Sequence, residues 1–217
     1  MQVVIDNFDL LMRGLRKTLE LSALIIAFGS AIGLLGGVGL LYAPRAVRWG
    51  LRGYVDVVRG TPLLVLIFLI FYGFPAFDVE ISGFRAATVS FSLFAGAHIS
   101  EIVRGALSTV PRGQSDAAKS IGLTFWPRLS SVLLPQALPI ILPPWVNTAV
   151  EMVKGTSLVV LVSVNDLMFA TVKVAERTME PMPLYIAAAV IYFIVNFSIS
   201  RLGIWLERRL KRRLAGA

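Results

Sequence analysis

Five stretches of this chain contain no Asp, Glu, Lys or Arg: residues 21–44, 60–77, 86–100, 129–150 and 181–200. A helix needs roughly 17–25 apolar residues to cross the hydrocarbon core of a bilayer. The first and last runs reach that length outright. The second does so with help from its flanks, and the third borrows Glu101 and Arg104 at its end. The fourth is long enough but holds Pro135, Pro139, Pro143 and Pro144. Proline removes an amide donor and crowds the carbonyl four residues back, so this run predicts a broken helix. The pattern predicts an all-α integral membrane protein with about five transmembrane helices. Only 16% of the residues are charged, against about 25% in soluble domains, so a soluble helical protein is a poor fit.

The net charge of +8 is better explained by the membrane than by nucleic acid. Basic residues hold the cytoplasmic side of membrane proteins. With five crossings and the C-terminus inside, fourteen of the 21 Lys and Arg residues fall inside and seven outside. Arg13, Arg16 and Lys17 run against that bias. A sixth crossing within 155–172 is the alternative, and it would bring the N-terminus inside. The basic tail after Arg201 predicts a helix at the inner surface, with anionic lipid as its partner. The first residues carry Asp6 and Asp9 ahead of any basic residue, which does not suit a cleaved signal peptide.

Local patterns refine the crossings. Gly29, Gly33 and Gly37 share one helix face, which lets two membrane helices approach closely. Intramolecular packing is the expected use. Tyr42 to Pro62 reads as a basic turn punctuated by Gly and Pro. Glu101 and Arg104 are three apart and predict an ion pair near the cytoplasmic end of the third crossing. His98 is the only histidine and there is no cysteine, so no metal site or thiol chemistry is expected. No phosphate-loop motif, HExxH or GxSxG occurs. The chain is expected to be neither an enzyme nor an ATP binder. A transporter, a channel or an assembly subunit remains.

One polar segment interrupts the apolar runs: "SDAAKSIGLTFWPRLSSVLLPQ", Ser115 to Gln136. Ser115 or Asp116 suits a helix N-cap. Gly122 suits a helix end, where a left-handed residue is tolerated. Phe125 and Trp126 are expected to face out or meet a partner, and Pro127 is expected to stop the helix. The result is a short helix tethered at both ends to membrane helices, able to pass rigid-body motion between proteins.

This segment resembles the coupling motif of bacterial ABC-transporter permeases: Glu-Ala-Ala, three residues, Gly, nine residues, Ile-x-Leu-Pro. Here Asp116-Ala117-Ala118 is followed by three residues, Gly122, nine residues and Val132-Leu133-Leu134-Pro135. "RGTPLLVLIFLIFYGFP" (Arg59 to Pro75), "SEIVRGALSTVPRGQSDAAKSIGL" and "LPPWVNTAVEMVKGTSL" (Leu142 to Leu158) resemble the polar amino acid branch. The resemblance implies a type I ABC importer permease fold, with residues 1–217 as one transmembrane domain and a coupling loop at about 108–131. It implies a multi-pass protein of the bacterial cytoplasmic membrane with a cytoplasmic C-terminus. Its implied partners are ABC ATPase subunits that bind the ATP, a second permease subunit (same or similar) and an external amino-acid-binding protein. Asp116, Ala117, Ala118, Gly122, Leu123, Phe125 and Trp126 would form the ATPase contact.

Substrate contacts are expected beside the proline breaks, because open backbone groups are tolerated in a membrane only where protein or water meets them. Asn147, Glu151, Lys154, Thr156 and Ser157 lie there. Glu151 and Lys154 are placed to pair, or to meet an ammonium and a carboxylate. His98, where relatives carry an aromatic, and Phe71 complete the candidate set. Relatives often carry Asp after the lysine; Gly155 here argues against a cationic amino acid. The alternative is an ion-coupled amino acid carrier or channel, with Glu101, His98 and Glu151 as a relay.

Overall fold

The computed structural model describes residues 2–215 as a string of helices. In order they are α1 (Gln2–Asp6), α2 (Phe8–Tyr42), α3 (Arg45–Gly60), α4 (Leu63–Gly73), α5 (Gly83–Thr109), α6 (Arg112–Ser120), α7 (Phe125–Arg128), α8 (Leu134–Gly155), α9 (Leu167–Thr178) and α10 (Pro181–Ala215). Phe74–Phe77 and Thr156–Val162 form 3-10 turns, and Leu129–Leu133 forms a π-helical turn joining α7 to α8. Phe8–Tyr42, Gly83–Thr109, Phe125–Val162 and Pro181–Arg212 are each long and apolar enough to cross a membrane. The bent pair α3 and α4 brings the number to five when it is counted as one broken span. The segment 155–172 forms a 3-10 turn and the start of a 12-residue helix, so the sixth crossing does not form there.

The glycine face predicted on α2 is the main seam of the molecule. A Cβ at Gly33 would lie 2.4 Å from Ile99 Cβ, and one at Gly37 would lie 2.5 Å from Val103 Cβ. Both contacts are on α5, so the face serves packing within this chain. Along the seam Leu21, Ile25, Phe91, Ala95 and Ile99 are buried in the largest core cluster. A second cluster gathers Val3, Leu11, Leu167, Val174 and Leu184 at the other end of α2. Ile186, Val190, Phe193, Ile194 and Phe197 stand exposed on α10. In water such a surface would aggregate; on a membrane helix it suits lipid or a packed neighbouring subunit.

Residues 45–60 form a 16-residue helix, not the expected turn. Burial makes the difference. Val55 and Val58 pack with Leu40 and Ala97, and the Tyr54 hydroxyl donates to the Leu93 carbonyl at 2.6 Å. Helix α3 ends where Pro62 forces Thr61 into extended backbone (φ −100°, ψ 132°). The chain there bends by 107° into α4.

The fourth crossing also departs from expectation. Its helix runs on through Pro139, Pro143 and Pro144, and the irregularities lie at its two ends. In the π turn, amides pair five residues back, as Leu134 does with Leu129, a register that bypasses the donor Pro135 lacks. The other prolines leave the carbonyls of Pro135, Pro139 and Ile140 without their usual amide donors.

Candidate functional site

The interrupting segment is built from three short pieces. Helix α6 starts at Arg112, after Pro111, and so begins earlier than the Ser115 or Asp116 cap expected. Asp116 instead sits inside the helix and pairs with Lys119 at 2.9 Å. That bonded ammonium holds the Asp116 carboxyl below its ordinary range. The end of α6 matches expectation. Gly122 has φ +81°, its amide donates to the Lys119 carbonyl at 2.9 Å, and the Leu123 amide donates to the Ala118 carbonyl at 3.1 Å. This is the paired closure that a left-handed residue permits. No atom lies within 4 Å of a Cβ built at Gly122, so the backbone angle alone calls for glycine.

Helix α7 then starts after Thr124, with Pro127 in its first turn. Proline is tolerated there because first-turn amides have no intrahelical partner; Pro127 therefore helps start a helix rather than stop one. Phe125 is half-buried and meets the Tyr42 ring edge-on at 5.3 Å between centroids. Trp126 is 68% exposed and Ile121 is 77% exposed. Ala118 is buried, while Ala117 and Asp116 are open. The segment thus presents Asp116, Ala117, Ile121, Gly122 and Trp126 outward. Ala118 and Phe125 pin it to the body, with Leu123 half-buried between them. Gln136 adds a tie, donating to Gln114 at 3.2 Å.

The other candidates fall into two groups. Asn147, Glu151 and Lys154 are all exposed, and their spacing of four and three residues puts them on one face of α8. Ile140, whose carbonyl is open, is seven residues before Asn147 on the same face. No ion pair joins Glu151 to Lys154 among the described residues. Both charges therefore stay available on a helix of crossing length, and charges there face water or a polar partner. Lys154 also lines a cleft of about 430 Å³ against Tyr192 and Asn196 of α10.

The second group packs inward. Thr156 is fully buried, its hydroxyl donating to the Val153 carbonyl at 2.8 Å. Ser157 is half-buried and donates to the Lys154 carbonyl at 2.9 Å. His98 is half-buried on α5, with Nδ1 3.0 Å from the Phe94 carbonyl oxygen and its ring on Phe94 at 4.5 Å. Phe71 packs on the main core. Gly155 is required by a close approach: a Cβ there would stand 2.9 Å from Phe91 Cε1, and Phe91 is fully buried.

A short outward-facing helix followed, through a glycine turn and α7, by a membrane helix with an open polar face matches one established pattern. Residues 25–212 fit the model of the binding-protein-dependent transport system inner membrane components. The chain belongs to that family. This permease is 39% identical over 209 residues to the L-cystine transport system permease protein TcyB of Bacillus subtilis, covering 96% of this chain and 89% of that one. It is 34% identical over 204 residues to the glutamine transport system permease protein GlnP of Escherichia coli, covering 93% of each. Among solved structures, that of an amino acid ABC transporter with histidines is similar at a TM-score of 0.86 and 30% identity, covering 95% of this chain and 96% of that one. The fold is that of an ABC importer permease, and membership of this family implies ATPase and binding-protein partners.

Two clusters in the permease were not singled out in full from its sequence. Glu101 accepts from Arg104 Nη2 at 2.7 Å, as its spacing predicted, and also from Arg52 Nη1 of α3 at 2.8 Å. The second bond ties α3 to α5 over the whole of α4, 49 residues apart in the chain, and no local spacing reveals it. Asp166 is fully buried. It accepts from the Phe169 amide at 2.9 Å, capping α9, and from the Tyr192 hydroxyl at 3.2 Å. Burial pushes its carboxyl above the ordinary range. "VND" before an apolar helical pattern is a cap signal that could have marked it.

Proposed function

We propose that residues 1–217 act as one transmembrane permease domain that moves a polar amino acid into the cell, driven by ATP held on partner ATPase subunits. One observation carries this reading. A short helix closed by Gly122 presents Asp116, Ala117 and Ile121 outward, the α7 that follows adds Trp126, and the π turn then leads into the helix bearing Asn147, Glu151 and Lys154. The relatives' names, cystine and glutamine permeases, support an amino acid as cargo. No catalytic chemistry and no cofactor is assigned to this chain.

In this reading α6, with Leu123 and Phe125 behind it, docks on an ATPase subunit in the cytoplasm. The C-terminus lies on that same side and the start of α2 lies outside. A second permease subunit, identical or similar, completes the pathway. On α8, Lys154 meets the substrate carboxylate and Glu151 the ammonium group, with Asn147 and Ser157 adding hydrogen bonds. Thr156, His98 and Phe71 shape the wall behind them. Gly155, closed off by Phe91, leaves no room for an acidic side chain, which favours a neutral cargo.

The test is reconstitution in vesicles with ATPase and binding protein, measuring uptake of labelled L-cystine and L-glutamine. Uptake should require ATP and both partners, and Glu151→Gln with Lys154→Gln should abolish it. Uptake by the chain alone, or uptake that follows a proton gradient at constant ATP, would overturn the reading.

A further inference from the structure

Two facing ridges of positive charge stand at the end of α2 remote from α6, and the transport path described above uses neither. Arg13, Arg16 and Lys17 share one face of α2, three and four residues apart. Lys173 and Arg177 are four apart on α9. All five line one cavity of about 760 Å³. Its width is set by Gly14, where a Cβ would lie 2.7 Å from the Asp166 carbonyl oxygen and 2.9 Å from Leu167 Cα. Helix α9 is fixed further by its Asp166 cap, and the Leu167 amide donates to Thr18 Oγ1 at 3.1 Å. The two helix backbones that carry the cations are therefore held at a set spacing before anything binds.

Their charge is largely uncompensated. One carboxylate, Glu20, lines the cavity, and it pairs with Lys17 at 2.8 Å. Among the described residues Arg13, Arg16, Lys173 and Arg177 make no ion pair; Arg177 hydrogen-bonds Asn7. All four are exposed. Gly14 lies about 40 Å from Tyr42 by helical rise, and Tyr42 touches α7. The charge-free run of α2 begins at Leu21, so the trough lies beyond the hydrocarbon. A headgroup layer meets surface cations singly and needs no preformed cavity. Two cation-bearing helices held at a fixed distance fit an occupant with depth and several negative charges, such as an acidic loop or helix end.

The family is binding-protein-dependent, so a protein must be received on the outer side. We propose that the trough between α2 and α9 is the docking groove for an acidic protrusion of the external binding protein, with Arg13, Arg16, Lys173 and Arg177 as its anchors. The proposal rests on the orientation given under Proposed function. Docking through exposed charge is screened beyond about 8 Å at physiological ionic strength and is felt mainly in the association rate.

The assembled transporter is placed in nanodiscs of phosphatidylcholine, with and without phosphatidylglycerol. Affinity is measured at low and high salt for the binding protein that supports uptake in the reconstituted system. R13E/R16E and K173E/R177E should each weaken low-salt affinity about tenfold and flatten its salt dependence. The neutral set R13Q/R16Q/K173Q/R177Q should move both in the same direction, and it covers the case where charge reversal blocks assembly. Exchanging the matching acidic residues of the binding protein for lysine should restore affinity to the charge-reversed permease. Unchanged affinity and salt slope overturn the proposal. So does an affinity that follows phosphatidylglycerol content rather than partner charge, which would mark a headgroup site. The chain has no cysteine, so a single Leu10→Cys reports orientation with an impermeant maleimide on intact cells. Labelling only after cell rupture sinks the orientation itself. Labelling from outside with unchanged affinity sinks the docking groove alone.

Discussion

Two glycines carry different burdens, and substitutions separate them. Gly122 needs only its backbone angle, φ +81°, with open space around it. Asn tolerates the left-handed region, whereas a β-branched residue there is strained by roughly 1–2 kcal/mol. Gly122→Asn should keep substrate-stimulated ATP hydrolysis near the parent level, and Gly122→Val should lose most of it. Equal loss in both would show that the missing side chain, not the angle, matters. Gly155 is the reverse case, ordinary in backbone and closed in by Phe91. Gly155→Asp forces a carboxylate against a buried ring and should destabilise by about 1–3 kcal/mol, read as a lower Tm of the purified protein. Adding Phe91→Leu should recover part of it; an unchanged Tm for the single variant contradicts the packing described. The role of Gly122 was legible in the sequence because a helix cap is a local device. That of Gly155 was not, because its partner Phe91 lies on another helix.

At the scale of elements, charge-free run length located the crossings, because the cost of open polar groups in lipid leaves few alternatives. Helix α3 escaped that reading. Its Gly and Pro residues suggest a turn, and only burial of Val55 and Val58 with the Tyr54 hydrogen bond shows why it is helical. The prolines of α8 signalled a break, yet the helix persists because packing outweighs their local cost. That cost should be recoverable. Proline in a helix interior is unfavourable by about 3 kcal/mol, and the open Pro139 and Ile140 carbonyls lie beside the polar face. Pro143→Ala with Pro144→Ala should raise the Tm and lower uptake together, as new amide donors close those carbonyls. A raised Tm with full uptake would show that the open carbonyls take no part in the path.

Across the whole molecule, the proposed function needs a mechanical line between the two ends of the permease. Helices α6 and α7, the π turn and α8 follow one another in the chain, so movement at Trp126 reaches Glu151 along about 38 Å of helix. The π turn is the irregular joint between α7 and α8, and in the proposed function it fixes the angular register between the coupling surface and the substrate face. A π turn holds one residue more than the α-helical path it replaces. Deleting Ser131, which is exposed within the π turn, should restore α register and rotate the coupling surface by about 100° relative to Asn147, Glu151 and Lys154. The contacts within α6 and within α8 are untouched, so the variant should still insert. ATP hydrolysis by the assembled complex should then persist without its substrate stimulation, and uptake should fall to background. Uptake that survives the deletion would show that the ATPase drives the outer half through the seam between α2 and α5 instead of along α8.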